Sequence, residues 1–161
     1  MAVDMFLKLT DIEGEAKDDE HPKEIDVLAW SWGLSQSGTF HMGGGGGSGK
    51  ANFQDISITK YVDKASMTLM GYIATGKHIA EATLVVRKAG GDKPLEYIKI
   101  EMKQVMVTSV STGGSGGEDQ LTENITLNFA QVATFYKPQT EKGADEAAID
   151  FKWNIATNKS A

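Results

Sequence analysis

The chain has 161 residues, with 16 Lys and Arg against 22 Asp and Glu for a net charge of −6, and 40% hydrophobic and 24% charged residues. That length suits one domain with a real core, expected to span residues 1–161. The acidic balance offers no cationic footprint for nucleic acid, no apolar run reaches the roughly 20 residues of a membrane-inserted helix, and the lack of cysteine removes disulfides, thiolate metal sites and cysteine nucleophiles.

Alternation of apolar and polar residues dominates the chain from its start. Met1 to Leu9 has no basic leader and already reads as a strand, with Val3, Met5, Leu7 and Leu9 on one face, so it is expected to be structure and not a cleaved signal. Residues 24–36 set Leu28, Trp30, Trp32 and Leu34 inward and the small Ala29, Ser31, Gly33 and Ser35 outward. Residues 52–62 continue with Ile56, Ile58 and Val62.

The spacing then predicts one helix over 63–75. Asp63 suits its amino end, Ala65, Leu69 and Ile73 recur every four residues, and Gly76 suits a left-handed stop, with Lys77 and His78 at the negative end of the dipole. Gly71 inside it costs about 1 kcal/mol relative to Ala, so packing must hold this helix. Strands return at 80–88 (Ala82, Leu84, Val86) and, after an Ala89 to Pro94 hairpin loop, at 95–111 (Ile98, Ile100, Met102, Met106). Residues 123–137 (Ile125, Leu127, Phe129, Ala133, Phe135) and 148–156 (Ile149, Phe151, Trp153, Ile155) complete seven strands. Many short alternating strands with one helix indicate an all-β sandwich or closed barrel, closure being the economical way to remove exposed strand edges.

Ten of the 18 glycines fall in two loops, Gly43 to Gly49 and Gly113 to Gly117. Ordering glycine backbone is entropically costly, so the 37–51 loop, with Gly43, Gly44, Gly45, Gly46, Gly47 and Gly49, is expected to be mobile in an isolated subunit and to gain order from a neighbour. That makes it a candidate assembly loop.

Motifs that suggest chemistry fail in context. Gly44 to Lys50 resembles a phosphate-cradling loop, but Ala51 stands where a magnesium-binding hydroxyl belongs, and a strand follows instead of a helix. Gly113-Gly-Ser-Gly-Gly117 matches a hydrolase nucleophile elbow, yet His21, His41 and His78 all precede Ser115 where that fold needs its base downstream. The three histidines have no metal-ligand spacing, the Glu15, Asp18, Asp19, Glu20 cluster lacks the calcium-loop pattern and reads as a solvated loop, and Asn124 lies inside a strand. No catalytic residue, cofactor or metal is expected. What remains is a face: Ala29 and Ser31 put small uncharged side chains where an exposed strand usually carries charge.

The chain resembles the Hcp (haemolysin-coregulated protein) family of type VI secretion. The resemblance is carried by Met5-Phe-Leu-Lys-Leu9 with Gly14-Glu15; Ile25-Asp-Val-Leu-Ala-Trp-Ser-Trp-Gly33; Asn52-Phe-Gln-Asp55 through Thr59-Lys-Tyr-Val-Asp-Lys-Ala-Ser66; Ala74-Thr-Gly-Lys-His78; Ala82-Thr-Leu-Val-Val-Arg-Lys-Ala-Gly90; Glu96-Tyr-Ile-Lys-Ile100; and Ile125-Thr-Leu-Asn-Phe129. It implies a single-domain β-barrel of two sheets with a short flanking helix, closing as a homohexameric ring whose stacks form a tube inside a sheath, beneath a spike. It further implies cytoplasmic synthesis, export without a signal peptide, no enzymatic activity, and effectors carried in the channel, which Ala29 and Ser31 are expected to line. The glycine-rich loop and residues 139–147 fall where the family varies. A monomeric small-ligand-binding barrel is the rival reading.

Overall fold

A computed structural model describes residues 3–43, 49–88, 94–138 and 147–161. Its strands are β1 (Val3–Leu9), β2 (Ile25–Ser31), β3 (Leu34–Ser35), β4 (Asn52–Phe53), β5 (Ile56–Tyr61), β6 (Ile79–Lys88), β7 (Leu95–Thr112), β8 (Thr122–Tyr136), β9 (Ile149–Asn154) and β10 (Lys159–Ser160), with one helix, α1 (Ala65–Thr75), between β5 and β6. The main sheet runs β10-β9-β8-β5-β2-β1-β6-β7, and the pairing of β7 with β8 closes six of these strands into a barrel. All its ladders are antiparallel. The two walls anticipated from the sequence are thus one sheet closed on itself, with β3 and β4 forming a separate ribbon.

The barrel interior is filled. Leu7, Ile25, Ile56, Ile58, Leu84, Ile100, Ile125 and Leu127 are each at most 2% exposed, and Ala65 and Leu69 of α1 join the same cluster. Each such Leu or Ile contributes roughly 1.5–3 kcal/mol relative to exposure. The helix is held as the sequence requires: its own glycine weakens it, but Gly76, at φ 72, closes its carboxyl end with its N–H on the Ile73 carbonyl. Asp63 lies before the helix and accepts the Ala65 N–H at 2.9 Å through its side chain.

Two pleat irregularities change which residues face in. On β2, Val27 pairs with Lys60 but Ala29 pairs with Thr59, so Leu28 is an extra residue that turns outward while Ile25 and Val27 before it, and Trp30 after it, turn inward. On β6, β7 and β8 the step is shared. Ile79, Val105 and Phe129 form one inward row, and the next inward row, Ala82, Met102 and Val132, comes three residues along each strand instead of two. Gln104 lies within this step at φ 54. A period-two count assumes an uninterrupted pleat, so beyond such a step it assigns the wrong face.

Met106 is accordingly on the surface with Val105 and Val107 buried, and Val132 replaces the expected Ala133 and Phe135. Phe135 instead meets the Lys152 and Lys99 ammonium groups, 5.5 and 6.0 Å from its ring. Val3, Leu34, Val62, Ile73, Ile149 and Phe151, all expected inward, are likewise exposed.

Where Val62 was expected to bury, Lys60 does so instead, fully enclosed and paired with Glu123, its ladder partner on β8. Its ammonium also donates to the Tyr61 carbonyl at 2.9 Å and to Ser66 Oγ at 3.2 Å, and meets Asp63 Oδ1 at 2.9 Å. Ser66 in turn donates to Glu123 Oε1 at 2.6 Å. The cluster joins β5, β8 and the first turn of α1. Desolvating both charges offsets much of their attraction, so the pair fixes position more than it adds stability, while removing one partner strands the other. Lys60→Met should therefore destabilise the fold by about 3–5 kcal/mol in chemical denaturation, with the Lys60→Met/Glu123→Leu double variant regaining most of it.

Candidate functional site

Because Trp30 and Trp32 pack against the core, the alternate residues Ala29 and Ser31 lie exposed on the outer face. Trp32 is anchored by its indole N–H on the Gln54 carbonyl at 2.9 Å and by Phe129, 6.1 Å between ring centres. The ladders extend the outward pair into two rows across β2, β5, β8 and β7. Ser31, Ser57, Thr126 and Ser109 form one, and Ala29, Thr59, Asn124 and Ser111 the other. Every member is small and uncharged.

Hydrogen bonds join part of this face. Thr59 donates to Asn124 Oδ1 at 2.6 Å, and Thr126 Oγ1 is 2.6 Å from the hydroxyls of both Ser109 and Thr108. Thr108 and Asn128 donate to Asp55 at 2.7 and 2.8 Å. A surface of short uncharged side chains, about half of them already bonded to one another, immobilises little on contact and imposes no charge requirement on what it touches. Sequence reasoning placed Ala29, Ser31, Gly33 and Ser35 outward and named Ala29 and Ser31 for the channel. The polar halves of Ile56-Ser-Ile-Thr59 and Asn124-Ile-Thr126 carried the rest of the signal, but which strands lie side by side was not in them.

The β3–β4 ribbon forms the stalk of the expected assembly loop. Phe40 and Met42, in a short 3-10 turn, are 86% and 75% exposed. Gly43 follows them, and Gly49 returns with its carbonyl accepting from Gln36 Nε2 at 2.7 Å. Gly44, Gly45, Gly46 and Gly47, and with them most of the phosphate-loop-like run, lie outside the described residues. Ser115 lies exposed in the β7–β8 hairpin loop.

In the acidic loop between β1 and β2, Glu15, Asp19 and Glu20 are exposed as a solvated segment would have them, while Asp18 is half-buried and held. The loop's two arms form a short ladder, Gly14 N–H to Lys23 O at 2.7 Å and Ala16 N–H to Glu24 O at 2.9 Å, and a Cβ on Gly14 would run into the Glu24 carbonyl. Arg87, buried on β6, grips Asp18 with its two terminal guanidinium nitrogens at 3.0 and 2.5 Å and also reaches Asp4 at 3.2 Å. That hydrogen bonding holds the Asp18 carboxyl down at about 2, against some opposition from burial. Glu15 accepts the Lys64 backbone N–H at 3.1 Å, tying the loop to the start of α1.

His21 is not isolated either: it is buried between Glu24 and Glu96, with Glu20 near, and donor atoms of Glu20, His21 and Glu96 lie within 4.8 Å of one another. Its Nε2 is 2.6 Å from Glu96 Oε1. At that separation, shorter than the roughly 3.3 Å between two donors on one tetrahedral zinc, the two atoms share a hydrogen bond.

The fold is that of a small antiparallel barrel whose filled interior leaves only its surfaces for recognition. Comparison with known proteins is specific. Residues 6–136 match the family described as "Type VI secretion system effector, Hcp". Protein hcp1 of Pseudomonas aeruginosa is 59% identical over 162 residues, covering 100% of both chains. Among solved structures, one titled as a type six secretion system protein aligns with a TM-score of 0.91 at 32% identity over 98% of this chain and 99% of that one, and Hcp1 from Salmonella typhimurium aligns at 0.81 with 34% identity over 100% of both. The chain belongs to the Hcp family, the tube proteins of type VI secretion, for which hexameric rings are known.

The Asp18–Arg87 contact sets an acid limit on the loop. A carboxyl held from 3.8 down to about 2 contributes stability that is present above the ordinary value and lost as pH falls through the lowered one. Asp18→Asn should thus be less stable than the parent at pH 7, and the gap between them should close as pH falls from about 4 to about 2 in thermal denaturation.

Proposed function

We propose that this chain acts as one domain and that six copies close head to tail into a ring, the rings stacking into the inner tube of a type VI secretion apparatus. A repeated head-to-tail contact closes when its rotation fits and leaves two unlike ends, so one subunit shape supports both ring and stack. The observation that carries this reading is the face built on Ala29 and Ser31: four adjacent strands present small, uncharged side chains on one side of a molecule of net charge −6. It suits a channel wall against which effectors of different shape pack. Phe40, Met42, Met67 and Ile149, each more than three-fifths exposed on the single subunit, suit contacts with neighbouring subunits.

In this role the protein is a conduit and carrier and not an enzyme, made in the cytoplasm and expelled with its cargo without a signal peptide. Its partners are further copies of itself, effectors, the surrounding sheath and the spike. A barrel that binds small ligands as a monomer would need an internal cavity, and here Ile56, Ile58, Leu84, Met102, Ile125 and Leu127 fill that space.

Light scattering should give a particle of roughly 104 kDa, six times the 17.3 kDa subunit. A single-subunit mass, or long tubes forming spontaneously in dilute solution, contradicts stable rings with weak stacking. Ser31→Arg should leave that mass unchanged while abolishing retention of a cognate effector in co-purification; undiminished retention removes Ser31 from the channel wall.

A further inference from the structure

His21 lies near the end of the loop between β1 and β2 and is only 8% exposed. Its ring stacks on Phe6 of β1, centroids 4.6 Å apart and planes 14° from parallel. Nδ1 is 2.8 Å from Glu24 Oε2 within the loop, and Nε2 is 2.6 Å from Glu96 Oε1 at the start of β7, 75 residues away in sequence. A neutral imidazole has one N–H to donate, and a carboxylate has none. With both nitrogens facing carboxylates, only the imidazolium makes both bonds; the neutral ring turns one of them into a contact between lone pairs.

We propose that His21 is a proton-operated latch, its imidazolium fastening the loop to β7 through Glu24 and Glu96 and its deprotonation releasing that attachment. The surroundings favour the charge. From the loop, Asp18, Glu20 and Glu24 face this region; from β1, Asp4; from β7, Glu96; and from β6, Arg87, already engaged by Asp18, Asp4 and Glu20. Among the described residues in these ion pairs, five carboxylates stand with one guanidinium.

Burial works against the imidazolium, but the hydrogen bonds to Glu96 and Glu24, with the charges of both, outweigh it and hold the His21 pKa above its ordinary 6.5. The latch is thus fully engaged below about 6.5 and lost as pH rises through the raised value. Glu96 is also the ladder partner of Arg87, so release acts on the β6–β7 end as well as on the loop.

The test uses the full chain in its assembled form. Ring nitrogen shifts of His21 should report an imidazolium at pH 6 and a titration midpoint above the ordinary 6.5. Hydrogen-exchange protection factors at Gly14, Ala16 and Lys23, whose amides hold the loop ladder, should fall as the ring titrates. Glu96→Gln should move the midpoint down by about one pH unit, and His21→Gln should give low protection independent of pH. A neutral His21 at pH 6.5, or the same pH dependence in His21→Gln, overturns the latch. Full protection restored at pH 8.5 by zinc chloride alone overturns the proton in favour of a metal. The ring titration of the unaltered chain stands even if a variant fails to fold.

Discussion

Closure of the sheet by β7 against β8 governs the rest of the structure. Once those strands pair, the six-strand barrel has no free edge of its own, and among the described residues its interior is filled by apolar side chains with the Lys60–Glu123 pair enclosed beside them. Recognition is displaced to the outside. Each later feature, the small-residue face, the exposed apolar tip of the loop and the pinned acidic segment, is a decoration of a surface whose position the closed core holds.

The pleat steps are part of that closure and have a functional consequence. β7 and β8 run the length of the barrel, and β8 exchanges its neighbour from β5 to β9 along the way. The three-residue step between inward rows on β6, β7 and β8 lies near this exchange, where the Ala130 carbonyl accepts the Ile155 N–H at 2.8 Å. Ser109, Ser111, Asn124 and Thr126 lie together on the far side of the step from Phe135, Lys99 and Lys152. β7 and β8 thereby present a small uncharged surface along one stretch, and along the other an aromatic one where Lys99 pairs with Glu101 and Lys152 of β9 with Asp150.

Charge is used differently at two places in the interior and on the loop. Lys60 and Glu123 are dry and fix the register between β5, β8 and α1, where an apolar pair would pack equally well but specify less. Arg87 and His21 lie under a loop that is otherwise polar, and they supply attachments that a segment with few apolar side chains cannot obtain from burial. The negative charge of the chain is therefore not uniformly solvated: part of it is spent holding an excursion of the backbone against the barrel wall.

Strand identity was legible because alternation is a local property, each residue's face following from its neighbours. Leu7, Ile56, Ile58, Leu84, Ile100, Ile125 and Leu127 were placed inward on that ground, as were the two tryptophans whose inward turn exposes Ala29 and Ser31. Long matched blocks in order carried the family. What local pattern could not hold was anything depending on a partner distant in sequence: Lys60 buried because Glu123 lies beside it, His21 paired with Glu96, Asp18 gripped by Arg87. Nor could it locate the bulge at Leu28 or the step at Gln104, since an inserted residue changes face only relative to the strand next to it. The sequence by itself determined that these segments are strands with a wet and a dry side; the tertiary structure decided which strands are neighbours, and so which polar side chains became a surface and which became a bond.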